Sequence, residues 1–297
     1  MAIQQQIKDR IKELKERFDV LRHGKEDLLK LIDEAEVAES VYNSNAIENS
    51  TLTLAETEKI LLEIAVARDV SVREVFEAKN LARVVEYIRE KAVSSDLTKE
   101  TILFLHKALI ETIDPSIAGR FRSTGEYVRV GTHIAPAPEH VERMIESIIS
   151  EYNSDFDSYL LEQVAKFHLD FETIHPFNDG NGRIGRVLIN WQLIRAGFPP
   201  VIIRNREKQD YYETFSAYRD KKNVKPMAKI IALALMESLH KRITYLQGSE
   251  TVTLSVFAKN SGKTASAITN AARRQTIPAF REKGVWKIAK EYRLVSD

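Results

Sequence analysis

Apolar residues recur along most of this chain at intervals of three and four. Ile3, Ile7, Ile11, Leu14, Phe18 and Leu21 form one such series, the spacing of a single helix face, and His23-Gly24 interrupts it. A second helix is expected from about Glu26 towards Ile47, then a loop at Asn49-Ser50-Thr51-Leu52. Thr53-Leu54-Ala55-Glu56 has the form of a capping box, in which the Thr hydroxyl and the Glu carboxylate satisfy first-turn N–H groups reciprocally. Ser71-Val72-Arg73-Glu74 repeats that form and opens a helix to about Lys91. Further helices are predicted over about 99–112, 138–153, 158–173, 182–196, 208–219 and 226–246. One stretch alternates instead: Tyr127-Val128-Arg129-Val130, a turn at Gly131-Thr132, and His133-Ile134-Ala135 predict a small hairpin. The pattern is that of a mainly α protein.

After a linker at Gln247-Gly248-Ser249-Glu250 the pattern shortens. Leu254 to Lys259 predicts a helix, Asn260 to Lys263 a turn, and Thr264 to Arg274 a second helix, with Ala258 and Gly262 small where two helices would cross. Ile277 to Arg281 reads as extended, since Pro278 cannot continue a helix interior. Glu282-Lys283-Gly284 can turn and Val285 to Ile288 can return. Two helices and a hairpin resemble a winged helix-turn-helix. Residues 251–297 carry nine basic and three acidic residues, a net +6, against −5 for the remainder. That charge suits a phosphate backbone. Such modules also serve protein contacts, and both partners stay open. The expected organisation is an N-terminal helical region at 1–65, a core at 66–246 and this module at 251–297.

Composition narrows the class. The 297 residues carry 44 basic and 43 acidic side chains, a net +1 that names no partner. Cysteine is absent, which excludes disulfides, thiolate chemistry and Cys-based zinc sites and fits a reducing cytoplasm. Met1 to Arg17 lacks the apolar centre of a signal peptide. The longest apolar run, Ile230 to Met236, is far short of the ~20 residues that span a bilayer. A soluble cytoplasmic protein without a membrane partner is expected. The stripe on residues 3–21 can pair with a second copy, giving a homodimer, or pack on its own domain.

The chemistry is concentrated in His175-Pro176-Phe177-Asn178-Asp179-Gly180-Asn181-Gly182-Arg183-Ile184-Gly185-Arg186. Glycines at 180, 182 and 185 let a backbone approach a ligand closely. A glycine-rich loop leading into a helix aims unpaired N–H groups and the positive end of the dipole at one place, which favours phosphate. Arg183 and Arg186 are neighbours on the new helix and match phosphate oxygens. Asp179 is a hard oxygen donor suited to Mg²⁺. His175, with an ordinary pKa near ~6.5, can take a proton at neutral pH. Together these are the parts of in-line phosphoryl or nucleotidyl transfer. Phe177 reads as a buried anchor for the loop and His168 as a structural histidine. The seven histidines show no His-Glu-x-x-His cluster.

This segment resembles the Fic signature His-x-Phe-x-Asp/Glu-Gly-Asn-Gly-Arg-x-x-Arg at every fixed position, with weaker similarity over about 35–225. The resemblance implies a helical Fic fold with the motif at its centre, and an activity: transfer of AMP from ATP to a Ser, Thr or Tyr hydroxyl of a target protein. It also implies roles. His175 would deprotonate the hydroxyl, and Asp179 would hold Mg²⁺. Gly180, Asn181, Gly182, Arg183, Ile184, Gly185 and Arg186 would bind ATP, with Tyr212 of Asp210-Tyr211-Tyr212 near the adenine. The hairpin, with Val128, Arg129, Val130 and Gly131, resembles the family's flap, which holds a target segment by strand addition. Gly182 stands where Doc-type kinases have Lys, which favours AMP transfer over phosphoryl transfer; phosphocholine transfer stays open. Ser44-Asn45-Ala46-Ile47-Glu48-Asn49 resembles the Fic inhibitory motif Ser/Thr-x-x-x-Glu-Gly/Asn. It implies a self-inhibited enzyme in which Glu48 pairs with Arg186, or a Glu48 that supports removal of AMP. The competing reading is a DNA-binding regulator whose core senses nucleotide.

Overall fold

The computed structural model describes residues 4–294, so Ile3 of the N-terminal series lies outside them. In chain order the helices are α1 (Gln5–Arg22), α2 (Glu26–Ile47), α3 (Leu54–Leu61), α4 (Val72–Lys91), α5 (Lys99–Ile110), α6 (Pro138–Ser154), α7 (Leu160–Ile174), α8 (Asn181–Arg195), α9 (Lys208–Lys221), α10 (Lys225–Leu246), α11 (Leu254–Ser261) and α12 (Ala265–Arg273). The predicted helical pattern is present throughout. The chain divides into two compact units. One takes Val37–Phe198 and Ile202–Ile230. The other takes the described residues up to Glu36, Pro199–Val201, and the described residues from Ile231 onward.

The first unit is built on α7 and α8. α7 packs against α6 and α8, and α4 packs against α5 and α8. Their facing residues, among them Val84, Leu105, Phe171, Ile184 and Trp191, are buried. Each large apolar side chain removed from water in this way contributes ~1.5–3 kcal/mol. The capping box at α3 forms: Thr53 Oγ1 accepts from the Glu56 amide at 3.2 Å, and Glu56 Oε2 accepts from the Thr53 amide at 2.8 Å.

The second expected box does not form. Ser71 makes no side-chain cap bond, and Glu74 turns to the loop after α2. There it accepts from Ser50 Oγ at 3.0 Å and from the Thr51 amide at 2.6 Å. Three loop donors, the Ser50 hydroxyl and the Thr51 amide and hydroxyl, converge on this carboxylate and hold it away from its own first turn. The predicted hairpin is β1 (Arg129–Val130) and β2 (His133–Ile134), antiparallel, with Arg129 opposite Ile134 and Val130 opposite His133. Gly131 between them has φ +59°, a conformation that favours glycine.

In the second unit, Ile11 and Phe18 of α1 are buried within the single chain. Arg242 on α10 is buried against Asp33 and Glu36, and Lys241 meets Glu36 at 3.0 Å. Burial alone pushes the Glu36 carboxyl up, but the two cations outweigh it and hold the group at about 2. The C-terminal part carries a three-stranded antiparallel sheet of β3 (Thr251–Thr253), β4 (Phe280–Glu282) and β5 (Val285–Ala289) in the order β3-β5-β4. The sequence pattern missed β3, because three residues are too few to display alternation. In chain order this part runs α10-β3-α11-α12-β4-β5, two short consecutive helices set beside the small sheet. Gly262 is not there to make room between α11 and α12. A Cβ added to it would meet nothing within 4 Å, and its φ of +66° ends α11 in a left-handed turn.

Candidate active site

α7 ends where the motif begins. His175 caps it in the left-handed conformation, φ +49°, uncommon for a residue with a Cβ and costly unless its surroundings enforce it. Arg122 enforces it. Buried beneath the loop, it donates from Nε to the His175 carbonyl at 2.8 Å and from Nη2 to the Ile174 carbonyl at 3.2 Å. Its amide donates to the Pro176 carbonyl at 2.9 Å. These bonds satisfy carbonyls that every helix C-terminus leaves open. The His175 imidazole is mostly buried. Burial lowers its pKa to about 4, only partly opposed by the nearby Glu172 carbonyl. The ring is therefore neutral at pH 7 and able to accept a proton.

The loop is braced from three sides. Phe177 is fully buried, and its ring stacks on His106 at 3.6 Å between centroids and 7° between planes. His106 Nδ1 accepts from the Gly119 amide at 3.1 Å, so Nε2 carries the hydrogen and donates to the Asp179 carbonyl at 3.1 Å. Asn181 clasps Phe177 by both of its backbone polar groups, each at 2.8 Å. Its side chain is thus committed to the loop, and only its backbone faces a ligand. Gly180, φ +80°, is the N-cap of α8. From that point the first-turn N–H groups of α8 have no intrahelical acceptor.

Acidic and basic groups alternate around Asp179. Its Oδ1 accepts from the Gly180 amide at 2.5 Å and from Arg183 Nη2 at 2.9 Å, and its Oδ2 accepts from Arg73. Glu77 Oε1 closes the ring, 3.0 Å from Arg73 Nε and 3.2 Å from Arg183 Nη1. Burial raises the Asp179 pKa, but the two arginines and the Gly180 amide outweigh it, and the carboxylate is held below its ordinary value.

Arg186 is turned toward α2. It donates from Nε to Ser44 Oγ at 3.0 Å, and from Nη2 to the Ser44 carbonyl and to Glu48 Oε1, both at 2.8 Å. Gly182 leaves room for that carboxylate: a Cβ there would lie 2.2 Å from Glu48 Oε1. Asn49, φ +70°, ends α2 in a left-handed turn, and its Oδ1 accepts from Lys208 at 2.7 Å. Tyr212, which the resemblance implies lies near the adenine, donates its hydroxyl to the Ile47 carbonyl at 2.9 Å.

The structure thus brings His175, Asp179, Gly180, Gly182, Arg183, Arg186, Ser44, Glu48 and Tyr212 into one neighbourhood. Ile184 and Gly185 face away from it. Ile184 is buried in the core, and a Cβ on Gly185 would lie 2.4 Å from Glu172 Oε1 on α7. The hairpin is anchored beside His175, with His133 Nε2 2.8 Å from the Thr173 carbonyl. Arg129 donates within the turn to the Gly131 carbonyl at 2.7 Å, and Val130 is exposed. Sequence reading missed Arg73, Glu77, His106, Arg122 and Glu172. Only Glu172 left a signal, lying three positions before His175 on the same helix face.

Three comparisons bear on this geometry. Residues 96–193 match the model of the Fic/DOC family. The protein adenylyltransferase Fic of Nematostella vectensis is 33% identical over 234 residues, 77% of this chain and 54% of that protein. The chain therefore spans about half the length of the curated relatives it matches. A Fic domain containing signaling protein from Bacteroides thetaiotaomicron superposes with a TM-score of 0.72 at 27% identity, over 81% of this chain and 97% of its own. A Fic family protein from Desulfovibrio desulfuricans superposes over 99% of both chains with a TM-score of 0.69 at 20% identity, a likeness of fold.

Proposed function

The chain carries a Fic/DOC-family domain, and on that premise we propose that it transfers AMP from ATP to a Ser, Thr or Tyr hydroxyl of a target protein and is restrained by Glu48. The carrying observation is a neutral, mostly buried imidazole fixed at the end of α7, beside Asp179 and the open N-terminus of α8. Relatives that are named protein adenylyltransferases support the choice of donor. The absence of cysteine accords with work in a reducing cytoplasm.

The residues divide the task. His175 accepts the hydroxyl proton as the target oxygen bonds to the α-phosphorus. The bond from that phosphorus to the bridging oxygen breaks, and pyrophosphate leaves. The α8 amides and Arg183 stabilise charge on the phosphate oxygens, and Arg186 does so once released from Glu48. The donor chemistry of Asp179, a partly exposed carboxylate held anionic, fits Mg²⁺, which prefers one or two carboxylates together with substrate phosphates. When bound, the metal would neutralise triphosphate charge. The exposed edge of β1 suits a target segment held by backbone hydrogen bonds. Tyr212 is the side chain we place against the adenine.

Incubation of the Glu48→Gly variant with ATP and a mixed protein extract tests the reading. Label at the α position must enter protein, label at the γ position must not, and His175→Ala must abolish incorporation. Transfer of γ label instead would make the enzyme a phosphoryl transferase.

We also infer that the C-terminal module contacts duplex DNA through α12. Lys263, Asn270, Arg273 and Arg274 are exposed on or beside that helix, in the arrangement a recognition helix uses.

A further inference from the structure

We propose that Glu172 is a positioning residue for His175: its carboxyl accepts the Nδ1–H and leaves Nε2 facing the target hydroxyl. For its kinetic consequence the inference rests on the AMP-transfer reading. Glu172 Oε2 lies 3.7 Å from His175 Nδ1, about half an ångström beyond hydrogen-bond length. Hydrogen bonds of this kind are commonly long before substrate binds. His175 Nδ1 and Glu172 Oε1 are both buried and both lack a hydrogen-bond partner. A buried carboxyl left unpaired costs stability, so packing alone gives no reason for one here. The neighbouring helix is cut back to house it. Only the missing side chain of Gly185 lets the carboxyl lie against α8.

The charges around the pair connect it to the inhibitory contact. Glu172 is faced by His168 and His175 from α7, by Arg186 from α8, by Glu48 from α2 and by Tyr211 from α9. Burial raises the Glu172 pKa to about 8, Glu48 pushes the same way, and Arg186 opposes. With Glu48 in place the carboxyl is therefore protonated at pH 7. It can still accept the Nδ1–H through its carbonyl oxygen, but it lends no charge to the imidazolium that forms when His175 takes a proton. Burial is the larger cause of the raised value, and withdrawal of Glu48 removes the like charge that adds to it, which moves Glu172 toward the carboxylate that would stabilise that imidazolium. One departure frees Arg186 and shifts Glu172 toward its charged form. The Glu172 main-chain carbonyl also lies close to the imidazole, so the experiment must separate it from the side chain.

The test uses the full chain carrying Glu48→Gly, alone and with Glu172→Gln or Glu172→Ala. AMP transfer from α-labelled ATP into a mixed protein extract gives apparent kcat and KM for ATP across pH, and ¹⁵N spectra of the imidazoles give the His175 tautomer. Glu172→Ala should lower kcat ~100-fold, leave KM for ATP nearly unchanged and lose the Nδ1–H tautomer. Glu172→Gln, which has the same shape, should keep the tautomer and retain more activity than the alanine variant, but lose the rise of kcat with pH. An unchanged tautomer and kcat in Glu172→Ala would assign the imidazole to the backbone carbonyl alone and overturn the proposal. A Glu48→Gly parent that transfers no AMP defeats the functional reading instead, while the spectra still decide the role of Glu172.

Discussion

Glu48 Oε1 stands 2.8 Å from Arg186 Nη2 although 138 positions of chain separate the two residues. With the two Ser44 bonds, this contact fastens the end of α2 into the first turns of α8 and occupies most of the Arg186 guanidinium. The arginine cannot serve the α2 helix and a triphosphate at once, so on the function proposed above the contact would restrain nucleotide binding.

Removing it in steps should give graded release. Glu48 is partly exposed while Arg186 is buried, and solvent screening brings the ~1.5–3 kcal/mol of a charged hydrogen bond down to ~1–2 kcal/mol. Glu48→Gly should accordingly raise AMP transfer ~10-fold. Ser44→Ala removes one bond of three, and a few-fold rise is expected. Initial rates with α-labelled ATP read both values. Equal rates in the wild type and both variants would mean that Arg186 is not limiting.

Arg73 holds the carboxylate that we assign to Mg²⁺, and it does so from an exposed position. Metal and guanidinium compete for Asp179 Oδ2. Arg73→Ala should lower the Mg²⁺ concentration that gives half-maximal nucleotide binding ~5-fold, the worth of an exposed pair near 1 kcal/mol. Calorimetric titration of the inactive His175→Ala protein measures this without turnover. A higher Mg²⁺ requirement would instead make Arg73 a phosphate ligand.

Three buried histidines and the mostly buried His175 should set the acid limit of stability. Burial holds His106, His175 and His240 at about 4 and His168 at about 3, whereas the unfolded chain titrates near 6.5. Between those values the unfolded state binds more protons, so stability falls as pH drops from about 6.5 to 4. For His106 alone the full shift is worth ~3 kcal/mol. The melting temperature should therefore decline from pH 7 to pH 5, and less steeply in His106→Gln if that variant folds.

If α12 contacts DNA through about four phosphates, affinity for a duplex should fall ~100-fold between 50 and 200 mM salt. Substituting Arg273 and Arg274 with Ala together should flatten that slope. A flat response in the wild type would favour a protein partner.

Much of this architecture was legible in the sequence because helices of this length repeat their apolar spacing several times. The boundaries of α2 and the Thr53 capping box needed no tertiary information. The motif's chemistry was legible because its glycines, acid and bases are consecutive. What escaped depends on distant partners. Glu74 looks like a capping residue until the Ser50-Thr51 loop arrives beside it. Arg73 lies 106 positions from the aspartate it grips, and nothing in its neighbours marks it. His106 and Arg122 hold the loop through main-chain carbonyls, and such bonds leave no trace in side-chain pattern. Gly185 looked like part of a ligand cradle, and only packing shows that it makes space for α7.

The stacking of Phe177 on His106 and the double clasp of Asn181 leave the motif loop almost no play. A loop so firmly bolted behaves as an anvil: it offers the same surface whatever strikes it. On the function proposed above, control would fall to the contact between Glu48 and Arg186, and a chemist wishing to silence or awaken this protein would aim there rather than at the anvil.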